Sequence, residues 1–228
     1  GLQRAIDSKA KNIAVFTAVS ESFNRQNIGM DVSHSLKVIS EIVREAKKHK
    51  IAVRGYVSTV FGCPFEGKVS PKQALRVIEA LSDLGVNQVS VGDTIGVATP
   101  KSVEAVVRPA LRSLGVKRIA VHFHDTRGTA LANTLRSLEL GVQTVDSSAG
   151  GLGGCPYAPG ATGNLATEDL IYMLDGMGVS SGIDLRELCE TSLWLSAKMN
   201  RPITSRYLSA YRASKSRQIG RRQKSAIG

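Results

Sequence analysis

Apolar residues in this 228-residue chain follow two alternating rhythms. Short runs rich in β-branched side chains, "NIAVFTAV" (12–19), "IAVRGYVS" (51–58), "NQVSVGDT" (87–94), "RIAVHFH" (118–124) and "QTVDSS" (143–148), predict strands. Longer segments between them repeat their apolar positions every three to four residues and predict helices. In "SPKQALRVIEALSDLG" (70–85), Ser70 is placed to cap, Pro71 suits the first turn and Gly85 follows the last. Leu75, Ile78 and Leu81, with Val77 and Leu84, form its apolar stripe. "TPKSVEAVVRPALRSLG" (99–115) repeats the design between Pro100 and Gly115, with a kink expected at Pro109.

Strand, helix, strand at a spacing of about 30 residues describes right-handed βαβ units and a parallel sheet. Five such strands fit either an open doubly wound sheet or most of a (β/α)₈ barrel. In both, functional residues gather at the carboxyl ends of strands. Asp93 and Thr94, His122 and His124, and Asp146 all stand there. No GxGxxG follows the early strands and no GxxxxGK[ST] occurs, which weighs against a nucleotide-binding open sheet.

Composition narrows this further. No window approaches 18 uninterrupted apolar residues, so no membrane span is expected. Cys63, Cys155 and Cys189 are an odd, unclustered set, which argues for free thiols in a reducing compartment. The net charge of +11 suggests nucleic acid until it is mapped. Eight basic residues and no acidic ones lie from Arg201 onward, leaving 22 basic against 19 acidic groups in residues 1–200, a balance of +3. The basic tail is expected to stay solvated, and without interleaved aromatics after Tyr211 it disfavours a nucleic-acid partner.

His122 and His124 are two apart on a predicted strand, so both imidazoles project from one face. Such a pair can share a cation. With nitrogen and oxygen donors nearby, a divalent ion such as Mg²⁺ or Mn²⁺ is expected, and Zn²⁺ is the other fit. Asn164, in "GATGNLATEDL", reads on its own as a helix cap, and alternatively as an oxygen donor to that cation. "SSAGGLGGCPY" (147–157) sets a thiol, Cys155, at the end of a glycine-rich run. That run is either a tight turn or a lid carrying a proton-transfer group. Cys63, in "VFGCPFEG", is a second rim thiol that reads as structural, and Cys189 reads as packed in a helix.

"VSVGDTIGVATP", "VHFHDTRGTALANTL" and above all "GGLGGCPYAPGATGNLATEDL" resemble the 3-hydroxy-3-methylglutaryl-CoA lyase family. The resemblance runs over about residues 1–212 and implies an N-terminally incomplete (β/α)₈ TIM barrel holding about the last five βα units. The barrel domain would be residues 1–200, followed at 201–228 by a helix and the basic tail. It implies His122, His124 and Asn164 as metal ligands, and Cys155, Asp93 and His122 as catalytic groups. Ala149 and Gly150 depart from the family's usual Val-Ala.

The family also opens with an Arg-Asp pair on its first strand and a glutamate on its second, and these have no counterpart here. The chain is therefore expected to be a fragment with negligible activity on its own. The implied reaction is the divalent-metal-dependent cleavage of 3-hydroxy-3-methylglutaryl-CoA to acetyl-CoA and acetoacetate, in leucine degradation and ketone-body formation. A CoA thioester is then the partner, no membrane is expected, and a homodimer is compatible. The compartment would be cytoplasmic in a bacterium and the mitochondrial matrix in a eukaryote. Two alternatives are a related Claisen-type enzyme, such as an isopropylmalate or homocitrate synthase, and a non-catalytic remnant that binds a metal or partner.

Overall fold

A computed structural model of the chain describes residues 1–154, 163–203 and 205–225. Contacts divide them into two units, one built on residues 1–146 and one on residues 147–154 with those from Gly163 onward.

The first unit is a parallel sheet in strand order β1-β2-β3-β4-β5. Its strands are β1 (Asn12–Ala18), β2 (Ala52–Ser58), β3 (Gln88–Asp93), β4 (Ile119–Phe123) and β5 (Val145–Asp146). The helices are α1 (Leu2–Asp7), α2 (Glu21–Ile28), α3 (Val32–Lys48), α4 (Pro71–Asp83), α5 (Pro100–Leu114) and α6 (Ala130–Glu139). The first four strands match the expected runs to within a residue at either end. The fifth is shorter than expected, because only Val145 and Asp146 pair, with Val121 and His122 of β4. Ser148 turns instead to bridge Ala166 in the second unit.

Both expected caps form. Ser70 and Gln73 close a reciprocal capping box on α4, and Thr99 and Ser102 do the same on α5. Each proline sits at the first helical position, where no N–H is needed. The helix α5 runs on through Pro109 to Leu114. On α4 the fully buried line is Ala74, Ile78 and Leu81, while Leu75 and Val77 lie at its margins.

Alternation along the strands assigns two faces. Val53 and Val57 on β2, Val89 and Val91 on β3, and Ile119, Val121 and Phe123 on β4 are buried in the core with α4, α5 and α6. Gly55 lets α4 come close: a β-carbon there would stand 2.6 Å from Leu81 Cδ2. The intervening positions carry Phe16, Arg54, Tyr56, Ser90, His122 and Asp146. Phe16 is half exposed and stacks on Tyr56 at 5.1 Å.

The second unit contains a 3₁₀ turn at Ala149–Gly151 and the helices α7 (Thr167–Gly176), α8 (Leu185–Lys198) and α9 (Arg206–Ser225). Tyr172 stacks on Tyr207 at 4.8 Å, tying α7 to α9.

Candidate active site

The polar face of the sheet carries a connected cluster. His122 and His124 stand side by side as their spacing requires, with ring centroids 5.3 Å apart. His122 Nδ1 is 3.4 Å from Asp146 Oδ2, a long contact across the paired ends of β4 and β5. The same carboxylate oxygen accepts the Ser90 hydroxyl at 3.0 Å, and its other oxygen meets Arg54 Nη2 at 2.8 Å. The Arg54 guanidinium lies 5.0 Å above the Tyr56 ring, which in turn meets His122 edge-on at 6.3 Å. Four neighbouring strands contribute: β2 gives Arg54 and Tyr56, β3 Ser90, β4 His122 with His124 just past its end, and β5 Asp146.

Burial pushes the Asp146 carboxyl up, but the contact with His122 and the charge of Arg54 outweigh it and hold it below the usual range. The Tyr56 phenol is raised, first by burial and then by the Asp146 carboxylate. Sequence reasoning placed Asp146 at a strand end but missed Arg54, Tyr56 and Ser90. The signal was present in "IAVRGYVS", where a cation and an aromatic alternate with valines on a strand otherwise built for burial.

Asp93 ends β3 and is almost fully buried. Its two oxygens accept the Val97 and Ala98 N–H groups at 2.9 and 3.0 Å, so it shapes the turn into α5. Burial nonetheless dominates and raises its pKa to about 6. At neutral pH the group is still mostly the carboxylate, held closer to its protonated form than an exposed aspartate.

In the second unit, the described half of the glycine-rich run is pinned. Ser148 N–H donates to Leu165 O, Thr167 N–H to Ser148 O and Asn164 N–H to Gly151 O. Gly150 N–H donates to both oxygens of Glu168, at 2.9 and 2.8 Å, and Glu168 also accepts the Ser192 hydroxyl. Glu168 is completely buried. At this end of the run the glycines serve close packing: Gly150 has φ +60, and a β-carbon there would fall 1.7 Å from Ile203 Cγ2. Ile203 fills the space that a methyl at this position would take.

Asn164 is not the helix cap. α7 starts at Thr167 with Ala166 in the capping position and no side-chain cap. The Asn164 amide points elsewhere: its Nδ2 donates to Leu152 O at 2.9 Å, which fixes which end of the amide is nitrogen. Its Oδ1 is buried without a hydrogen-bond partner among the described residues.

Of the thiols, Cys155 lies outside the described residues. Cys63 is buried, with Sγ 2.8 Å from Ser20 Oγ and accepting the Phe65 and Glu66 N–H groups at 3.3 Å. Those contacts tie the loop after β2 to the start of α2. Cys189 is buried in α8 and pushed up to about 11 by desolvation and the neighbouring Glu168 carboxylate. No three His, Cys, Asp or Glu side chains among the described residues form a metal-holding group by themselves. No helix among them is long and apolar enough to cross a membrane.

A family model described as HMGL-like matches residues 1–194. The chain is 44% identical over 214 residues to a hydroxymethylglutaryl-CoA lyase of Bacillus subtilis, covering 94% of this chain and 72% of that one. It is 47% identical over 210 residues to the mitochondrial hydroxymethylglutaryl-CoA lyase of Bos taurus, covering 92% and 65%. The crystal structure of the Bacillus enzyme superposes with a TM-score of 0.89 over 92% of this chain and 71% of that one. An Acinetobacter baumannii HMG-CoA lyase in complex with coenzyme A and 3-methylmalate is 36% identical, with a TM-score of 0.88 over 92% and 68%. The five parallel strands are therefore part of a (β/α)₈ barrel fold, and the chain spans about two thirds to three quarters of its relatives' length.

Proposed function

From a chain that belongs to the HMGL-like family, we propose the activity of a hydroxymethylglutaryl-CoA lyase, a carbon–carbon lyase. The substrate would be 3-hydroxy-3-methylglutaryl-CoA and the products acetyl-CoA and acetoacetate, as in leucine degradation and ketone-body formation. The observation that carries this is the His122–His124 pair on one face of β4, backed by Asp146. A CoA thioester suits the coenzyme A bound by the Acinetobacter relative.

The family implies a divalent metal. The donors fit one: two imidazoles share a face, and the Asn164 carbonyl oxygen is buried and still seeking a partner among the described residues. His122, His124 and Asn164 would hold Mg²⁺ or Mn²⁺, which prefer such nitrogen and oxygen donors. When bound, the ion would stabilise negative charge on the substrate's hydroxyl oxygen.

The chain's own residues would then move protons. Asp93, raised to about 6, takes the proton from the tertiary hydroxyl, since an imidazole that holds the ion through one nitrogen and carries its proton on the other has no lone pair left for it. The C2–C3 bond breaks as the C3–O bond becomes the ketone of acetoacetate, and its electron pair passes to C2 as the enolate of acetyl-CoA. A proton delivered to C2 completes the products. Cys155, at the end of the glycine-rich run, is assigned that delivery. No acyl group changes hands, so the thiol has no need to act as a nucleophile.

The test is acetoacetate release from 3-hydroxy-3-methylglutaryl-CoA with Mg²⁺ or Mn²⁺, measured on the protein as encoded at its source. Activity lost in His122→Ala supports the assignment. Full activity in that variant, or none in the parent, overturns it. The isopropylmalate or homocitrate synthase reading predicts no acetoacetate, and condensation of acetyl-CoA with a 2-oxo acid instead.

A further inference from the structure

We propose that Asp146 is a positioning residue for His122, fixing the neutral ring with its proton on Nδ1 and leaving Nε2 as the nitrogen offered to a cation. The offer to a cation rests on the functional reading above; the orientation of the ring does not.

The argument begins with what surrounds the ring. Its Nδ1 is buried and faces Asp146 Oδ2 at 3.4 Å without a formed hydrogen bond to any described residue, so the carboxylate is the acceptor that a proton on Nδ1 meets after a small turn of either side chain. The carboxylate is held from two further directions, by Ser90 Oγ at 3.0 Å and Arg54 Nη2 at 2.8 Å. These come from β3 and β2, so the carboxylate's place is set by three strands besides its own. The ring is confined as well, edge-on to Tyr56 at 6.3 Å and beside His124 at 5.3 Å. Tyr56 is itself stacked on Phe16 and covered by the Arg54 guanidinium.

A neutral imidazole carries one N–H and one lone pair, and the partner of one nitrogen decides the state of the other. A carboxylate only accepts. Set against Nδ1, it selects the Nδ1–H tautomer and directs the lone pair to Nε2. Carboxylates placed behind metal-bound histidines typically change metal affinity by about 10–100-fold. Asp146 therefore acts through His122 and needs no contact with substrate or ion.

The decisive measurement is the ¹⁵N spectrum of the histidine rings in metal-free protein, paired with Mn²⁺ titration followed by electron paramagnetic resonance. In the parent, neutral His122 is expected to show a protonated Nδ1 and a bare Nε2. Asp146→Asn is expected to shift the ring towards the Nε2–H form, because the amide can turn its NH₂ to Nδ1. The same change should weaken Mn²⁺ binding by about 10–100-fold. In a His122→Ala background, Asp146→Asn should add little further loss.

A parent ring protonated on Nε2 overturns the proposal. So does an Asp146→Asn protein with an unchanged tautomer, or an equal loss of affinity in the His122→Ala background, which would make Asp146 act on the ion directly. Should Asp146→Asn fail to fold, Ser90→Ala keeps the carboxylate and removes one of its holds; a ring population unmoved by that change also overturns it. Failure of the parent to bind Mn²⁺ would sink the cation reading alone, and the ring spectrum would still decide the role of Asp146.

Discussion

The backbone N–H of Gly150 meets both carboxylate oxygens of Glu168, a side chain entirely removed from water and shared with the hydroxyl of Ser192. One acidic residue thus ties the glycine-rich turn to α7 and α8.

Removing that carboxylate leaves two buried donors without an acceptor. Glu168→Ala should destabilise the protein by about 2–4 kcal/mol, read from urea unfolding midpoints. Glu168→Gln should cost less, because its amide oxygen can still serve one of the two donors. A change below about 0.5 kcal/mol in both variants would show that the turn holds without this anchor.

Gly150 and Ile203 form a pair whose sizes are matched. Gly150→Ala should cost about 1–3 kcal/mol, through the clash with Ile203 and the positive φ. In an Ile203→Ala background most of that cost should vanish, leaving only the backbone contribution of about 1 kcal/mol. Additive losses in the double variant would show that the two side chains do not compete for one space.

Asp93 retains a proton in the folded protein up to about pH 6, where an unfolded aspartate has already lost its own. Its raised pKa means that stability attached to this proton is fully present below about pH 4 and is lost as pH rises through about 6. Between pH 4.5 and 7 the decline should be about 2 kcal/mol. Asp93→Asn lacks this group, so the parent should lose about that much more stability than the variant over the interval. Parallel stability curves for the two proteins would refute the shift.

Cys155→Ala separates ligand from proton donor. On the proposed assignment, Mn²⁺ affinity stays within about twofold and turnover falls by about 10²–10⁴-fold. Lost metal binding would make the thiol a ligand, and unchanged turnover would make the run around it a turn with no chemical part.

Much of the sheet was legible because its signals are local. Alternation and caps at Ser70 and Thr99 act over a few residues, and those elements fall within a residue of expectation. The histidine pair was legible for the same reason, since i and i+2 on a strand share a face. Asn164 misled because a good capping residue just before a helix says nothing about where the first turn starts; Leu152 O claimed its amide. The partners of Arg54, Ser90 and Glu168 were hidden for another reason. Arg54 and Ser90 meet Asp146 from 92 and 56 positions away in the chain, and Glu168 meets a glycine N–H from 18. No spacing rule reaches that far. In the sequence Glu168 is simply an acid in the first turn of a helix.

At Gly55 a β-carbon would stand 2.6 Å from Leu81 Cδ2, so α4 rests on the backbone of β2 and not on a side chain. Arg54 and Tyr56 flank that glycine and project from the opposite face of the same strand. The seat of the helix therefore also sets the height from which the two polar side chains begin. Packing on one side of the sheet becomes reach on the other.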